Sequence, residues 1–236
     1  MLLTGAQVRI GKIGGHEIRL DLIAFGMLGL MVYLSRSTPQ ETIAFLVAAF
    51  LSILVHEMGH AGAIRKLTGQ NTLVVIGFGG ATISMGLRGG DGRSNARKQL
   101  LISLAGPAAQ IAIGVVGWAV ARSIAEYGDS WLPWHFYTAR SICLIALQDF
   151  IFISVVWSVL NLAPMLPLDG GQALRALIVS LGGAVRPARR VTRIITMVAA
   201  IGLGFWAYEA GYRISLVILL FFVVLPTMDE ARREGW

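Results

Sequence analysis

Long apolar runs separated by short polar segments dominate this chain of 236 residues. Each of six runs is long enough, with its flanks, to form a helix across the hydrocarbon core of a bilayer, for which about 20 apolar residues are needed. The pattern therefore predicts an all-α polytopic membrane protein with six transmembrane helices. The predicted spans are Leu22–Leu34, extended to about Ile18–Ser35, Ile43–Val55, extended to about Leu67, Gln99–Ala121, Ser141–Leu162, Val191–Tyr208 and Ile214–Leu225.

Other stretches depart from this helical pattern. Asn71–Gly86 is rich in β-branched residues and glycine and is too interrupted to form a span, so it predicts a short membrane-associated β-hairpin. Gly86–Lys98 is polar and predicts a loop, and Gly170–Leu181 predicts a short helix or a re-entrant segment. The second span has a recognisable start at Thr38–Glu41, with a threonine cap, proline at the first helical position and glutamate at the third.

Composition and charge support the membrane interpretation. The chain is 56% hydrophobic and only 14% charged, which leaves less polar surface than a soluble domain of this size needs. If the N-terminus is cytoplasmic, the six spans place sixteen of the twenty Lys and Arg residues on the cytoplasmic side. The positive-inside rule predicts this bias, with both termini in the cytoplasm. It also explains the net charge of +7 without a nucleic-acid partner.

We expect a single transmembrane domain over residues 1–236. Cys143 is the only cysteine, which excludes an intramolecular disulfide and a cysteine-rich metal site. The first twenty residues lack the continuous apolar region of a cleaved signal peptide.

The strongest chemical signal is His56-Glu57-Met58-Gly59-His60, within the second predicted span. Histidines at i and i+4 lie on one helix face, where both imidazoles can reach one zinc ion, and the adjacent glutamate can take a proton from a zinc-bound water. Such polar groups inside an apolar span are costly unless they are paired or bind a metal. The alternative is a chance match to HExxH in a core helix without a metal.

A catalytic zinc site needs a third protein ligand as well as an open position. His16 and His135 lie outside the predicted spans and are expected to be surface or interfacial residues. Asp169 is the better candidate, because it follows two helix-breaking prolines in the segment Asn161–Gly171. The alternative is that Asp169 only caps the next helix.

Together these two segments resemble the site-2 protease family of intramembrane zinc metalloproteases, whose pattern is HExxH with NxxPxxPLDGG. The resemblance is strongest to compact bacterial members that process sporulation sigma-factor precursors. It implies one zinc ion per chain held by His56, His60 and Asp169, with Glu57 as the catalytic glutamate. It further implies that Asn161 helps to hold the substrate.

Supporting marks of the resemblance are Phe78-Gly79-Gly80 in the predicted hairpin and Ala105-Gly106-Pro107 early in the third span. Phe78, Gly79 and Gly80 are candidate substrate-binding residues, since an extended substrate could pair with an edge strand of the hairpin. The chain departs from the family's pattern at Gln110, where relatives usually have asparagine or histidine. We also expect no PDZ-like insertion and no C-terminal CBS domain.

The resemblance implies hydrolysis of peptide bonds within or near transmembrane segments of membrane-anchored substrates. The expected setting is a bacterial cell membrane, with the active site toward the cytoplasm. Three other classes remain open. They are a membrane metallopeptidase that clips prenylated C-termini and uses a distant glutamate ligand, a non-catalytic relative that binds membrane proteins, and a zinc transporter.

Overall fold

The computed structural model describes residues 7–22, 26, 28–30, 32, 38–76, 81–83, 92–131, 137–211 and 220–233. This part of the chain is mostly helical and carries one small sheet. It forms two compact units. One comprises Met1–Leu87 and Ala105–Ser158, and the other comprises Arg88–Leu104 and Val159–Trp236.

The sheet belongs to the first unit and has the strand order β1, β2, β3, β4. β1 and β2 are antiparallel, β2 and β3 are parallel, and β3 and β4 are antiparallel. Gly14 and Gly15 join β1 to β2 with φ angles of 56° and 86°, which match the positive values of a type I′ hairpin turn. The strands are β1 (Gln7–Ile13), β2 (His16–Asp21), β3 (Leu73–Ile76) and β4 (Ala81–Ile83).

The predicted hairpin is confirmed as β3 and β4, but the predicted start of the first span is wrong. Ile18–Asp21 lies in β2, where Ile18 packs in a buried core with Val74 and Ile76 of β3. These β-branched side chains share one face of the sheet. Their burial between β2 and β3 stabilises a strand here, although the apolar run continues into the following residues. Most of Leu22–Leu34 lies outside the described residues.

Helix α1 (Pro39–Thr68) begins where the sequence predicts. The Thr38 hydroxyl accepts a hydrogen bond from the Glu41 backbone N–H at 3.3 Å, and Pro39 occupies the first turn. The helix ends at Gly69, whose φ of 72° lets its backbone N–H bond to the Arg65 carbonyl oxygen.

The remaining helices follow the predicted order with shifted ends. Residues 92–98 are helical rather than part of a loop, so the predicted loop Gly86–Lys98 is wrong over its second half. The short helix predicted at Gly170–Leu181 is confirmed. The helices are α2 (Gly92–Trp131), α3 (Tyr137–Asn161), α4 (Asp169–Ser180), α5 (Val185–Glu209) and α6 (Leu225–Arg233), the last preceded by a π-helical segment at Leu220–Val224.

Four helices of the described chain are long and apolar enough to cross a membrane. They contain the second, third, fourth and fifth predicted spans, so six spans are not confirmed. The sixth, Ile214–Leu225, falls partly on residues outside the described ranges. The four candidates are Pro39–Thr68, Gly92–Glu126, Ser141–Asn161 and Val185–Glu209.

Candidate metal centre

His56 and His60 stand one turn apart on α1 and are only 3% and 7% exposed. Their rings meet edge to face, and their Nε2 atoms lie 3.1 Å apart. Two nitrogen ligands of one tetrahedral zinc ion, each at about 2.0–2.1 Å from it, would lie about 3.3 Å apart. The spacing of the pair therefore fits two ligands of a single ion.

Glu57 follows His56 and is also buried, at 5% exposure. One residue corresponds to a rotation of about 100° around a helix, so Glu57 projects from a neighbouring face of α1 and not from the face that the two histidines share. This places an acid next to the candidate metal position without making it one of the i, i+4 ligands.

Two glycines bring the backbones of α1 and α2 close together at the histidines. A Cβ atom on Gly59 would lie 2.5 Å from the Ala105 carbonyl oxygen and 2.9 Å from the Ala109 Cβ. A Cβ atom on Gly106 would overlap the imidazole of His60. The glycine of HEMGH and the glycine of Ala105-Gly106-Pro107 are therefore required by the same close approach.

Gln110 is a site residue that the sequence marks only as a departure from a family pattern. It is fully buried on α2, and its Oε1 lies 2.9 Å from Nδ1 of His56. The feature that could have identified Gln110 in the sequence is an amide side chain inside an apolar run, one turn after Pro107, which is buried in the structure.

Asp169 is the first residue of α4, in the second unit. The preceding turn is fixed by hydrogen bonds, since the Leu166 backbone N–H donates to Thr196 Oγ1 at 2.9 Å and Gln172 Nε2 donates to the Pro167 carbonyl at 3.1 Å. A carboxylate in a first helical turn is favoured by the helix dipole.

The two glycines after Asp169 are required by space. A Cβ atom on Gly170 would clash with the carbonyl groups of Leu162 and Ala163, and one on Gly171 would clash with the backbone of Met165. The Asp-Gly-Gly sequence therefore lets α4 start directly against the turn that precedes it.

His56 and His60 supply two buried imidazoles in the first unit, and Asp169 supplies a carboxylate in the second. Two imidazoles and a carboxylate are a ligand set found in catalytic zinc sites.

The candidate substrate-binding residues are only partly described. Asn161 ends α3 and is partly buried. Phe78, Gly79 and Gly80 lie outside the described residues, as does His135.

The prediction of a surface position for His16 is wrong. His16 is 2% exposed, and its Nδ1 accepts a hydrogen bond from the Thr72 backbone N–H at 3.1 Å and lies 2.9 Å from the Thr72 hydroxyl. Burial, and then the positive charge of Arg65, lower the pKa of His16. The sheet contact buries a side chain that the sequence alone places in a polar segment.

Comparisons with known proteins agree with this geometry. No protein-family model matches the chain. The chain is 24% identical over 230 residues to a zinc metalloprotease of Methanocaldococcus jannaschii, across 96% of this chain and 61% of the relative. It is 27% identical over 195 residues to Rip3 of Mycobacterium tuberculosis, which is named provisionally as a zinc metalloprotease, across 79% of this chain and 46% of the relative.

The chain thus spans less than two thirds of the length of these curated relatives. Its fold matches the site-2 protease from Methanocaldococcus jannaschii with a TM-score of 0.63 and 21% identity, over 91% of each chain. The chain therefore has the fold of this site-2 protease, and its sequence is similar to those of the two zinc metalloproteases.

Proposed function

We propose that this chain is an intramembrane zinc metalloprotease that hydrolyses peptide bonds within or near transmembrane segments of membrane-anchored proteins. The observation that carries the proposal is the buried pair of His56 and His60, whose Nε2 atoms lie 3.1 Å apart, and we assign the position of the third ligand to Asp169. Both histidines are buried in a helix that is long and apolar enough to cross a membrane, where such groups are costly unless they are paired or bind a metal.

The donor set fits zinc, because two imidazoles and one carboxylate leave the fourth tetrahedral position open for water or substrate. A zinc ion held there would acidify a water molecule and polarise the scissile carbonyl group. We assign proton transfer to Glu57, whose carboxylate accepts a proton as the water oxygen bonds to the carbonyl carbon. Glu57 then donates that proton to the amide nitrogen as the C–N bond breaks, releasing a carboxylic acid and an amine.

The identity of the third ligand separates this proposal from a peptidase that clips prenylated C-termini. That class uses a distant glutamate, whereas the segment Asn161–Gly171 offers Asp169 at the start of α4. This segment therefore favours the site-2 protease chemistry.

A transmembrane helix hides its peptide bonds, so the substrate must become extended before it is cut. We assign substrate binding to Asn161 and to Phe78, Gly79 and Gly80. The position of β4 at an edge of the sheet supports pairing with an extended segment, because an edge strand offers unpaired backbone groups.

We further propose that the chain crosses a bacterial cell membrane six times as one catalytic domain, with both termini and the active site toward the cytoplasm. The uneven placement of Lys and Arg along the sequence supports this orientation. The similarity to Rip3 of Mycobacterium tuberculosis supports a bacterial setting.

Proteomics of membrane fragments tests the proposed function. Cells that make the wild-type chain should accumulate shortened transmembrane proteins that are absent from cells making Glu57→Gln at equal abundance. New ends at lipidated C-termini would instead indicate the prenyl-directed class. Identical fragments in both strains would contradict peptidase activity.

A further inference from the structure

Gln110 is buried at 0% exposure and makes four polar contacts, which join three helices of the first unit. Its Oε1 lies 2.9 Å from His56 Nδ1 and 2.8 Å from the Ser158 hydroxyl. Its Nε2 lies 2.7 Å from the Ser52 hydroxyl and 3.3 Å from the Ser52 carbonyl oxygen. Burying an amide without hydrogen-bond partners costs free energy. Because both polar atoms of the Gln110 amide have partners, the surroundings of Gln110 are specifically arranged for an amide side chain.

The Ser52 carbonyl fixes the orientation of the amide. A carbonyl oxygen can only accept, so the amide nitrogen must face Ser52, and its two hydrogens serve the carbonyl and the hydroxyl. The amide oxygen therefore faces His56 and Ser158. It has two lone pairs, one for the Ser158 hydroxyl and one for a hydrogen on His56 Nδ1.

The serines hold this orientation from both sides. Ser52 and Ser154 hydroxyls lie 2.9 Å apart. The Ser158 hydroxyl also donates to the Ser154 carbonyl oxygen at 2.6 Å, so its single hydrogen is shared between that carbonyl and Gln110 Oε1. All three serines are fully buried. Ser52 and His56 share one face of α1, and Ser154 and Ser158 share one face of α3, because each pair has i, i+4 spacing.

We propose that Gln110 is a positioning residue that holds His56 in the tautomer with hydrogen on Nδ1. That tautomer leaves the lone pair on Nε2, the atom that lies 3.1 Å from His60 Nε2. A histidine ligand commonly donates its second ring hydrogen to an outer oxygen, which fixes its ring and makes the ligand nitrogen more basic. This inference deepens the proposed function and rests on it, because it concerns the same metal position.

Replacement of the amide gives the first test. Gln110→Met keeps an unbranched chain of similar length but has no oxygen for His56, so its zinc affinity should fall by about 10- to 100-fold. The matched control is Gln148→Met, the same change at an exposed side chain of α3. The control should bind zinc as the wild type does.

A second variant distinguishes positioning from packing. Gln110→Glu keeps an oxygen for His56 Nδ1 and loses the two amide hydrogens that the Ser52 carbonyl and hydroxyl accept, so zinc affinity should stay within about threefold of wild type. Equal losses in the Met and Glu variants would overturn the proposal, because they would show that the acceptor is not what matters.

The measurements are competition against a chromophoric chelator in detergent and the visible spectrum after cobalt substitution. Gln110→Met should also alter the cobalt bands, since the ring of His56 is no longer held. If the wild type holds zinc and Gln110→Met equals it in affinity and spectrum, the role of Gln110 is refuted while the metal site stands. If the wild type itself binds neither metal, the proposed function fails instead.

Discussion

Gly106 faces His60 so closely that a Cβ atom on Gly106 would overlap the imidazole ring at Nε2 and Cε1. Both residues are buried, so the backbone of α2 forms one wall of the candidate metal position. In a close-packed interior a methyl group can enter only if the ring rotates or the helices separate.

Gly106→Ala should therefore displace His60 and lower zinc content at least about tenfold, the lower end expected when the support of a ligand is lost. Metal analysis after dialysis against a chelator provides the measurement. Gly62→Ala is the control on α1, because a Cβ atom there meets nothing within 4 Å. Full zinc retention in Gly106→Ala would show that the close approach does not position His60.

Glu57→Gln should separate metal binding from chemistry. The substitution keeps size and hydrogen bonding but removes the base, so we expect zinc and fold to persist while proteolysis falls by at least about 100-fold. A reconstituted assay with a membrane-anchored substrate gives the rate, and metal analysis of the same sample gives the zinc content. Cleavage near the wild-type rate would contradict the assigned role of Glu57.

Asp169→Ala should produce a different failure. It removes the carboxylate that we assign as the third ligand beside His56 and His60, so zinc should dissociate more readily and activity should fall with it. Asp229→Ala, at an exposed aspartate of α6, is the matched control and should retain zinc. If Asp169→Ala keeps both zinc and activity, the third ligand lies elsewhere.

The buried His16 predicts that stability depends on pH. Because burial and Arg65 lower its pKa below the usual 6.5, the unfolded chain binds a proton at pH values where the folded chain does not. The stabilisation from His16 is therefore present above about pH 6.5 and is lost as the pH falls through the lowered pKa. The Tm of the wild type should drop more between pH 7.5 and pH 5 than that of His16→Asn. Parallel pH profiles would contradict this assignment.

Cysteine labelling in a Cys143→Ala background checks the proposed orientation. Single cysteines at Arg93 and Arg189 should react from the cytoplasmic side, and one at Asp129 should react from the opposite side. The expectation follows from the excess of Lys and Arg on one side of the predicted spans. Labelling of positions 93 and 129 from the same side would overturn the six-span topology.

Features that depend on neighbouring residues could be predicted from the sequence. The threonine cap of α1 and the β3–β4 hairpin follow from local chemistry and are confirmed. The spacing within HEMGH likewise places His56 and His60 on one face of α1, where their Nε2 atoms lie 3.1 Å apart.

Features that depend on distant partners could not be predicted in this way. β2 finds its parallel partner in β3 more than fifty residues later, and Thr72 buries His16 across the same distance. Gln110 acquires its role only because Ser52 and Ser158 approach it from other helices. The apolar residues from Ile18 onward favour a span over a strand when the sequence is considered alone.

The parallel pairing of β2 and β3 has a consequence for the path of the chain between them. Hydrogen-bonded strands lie about 4.8 Å apart, so β2 and β3 are immediate neighbours in the sheet. Parallel strands cannot be joined by a tight turn and need a long crossover connection. The 30 residues of α1 belong to this connection, so the helix that carries His56 and His60 lies within a crossover between two adjacent strands.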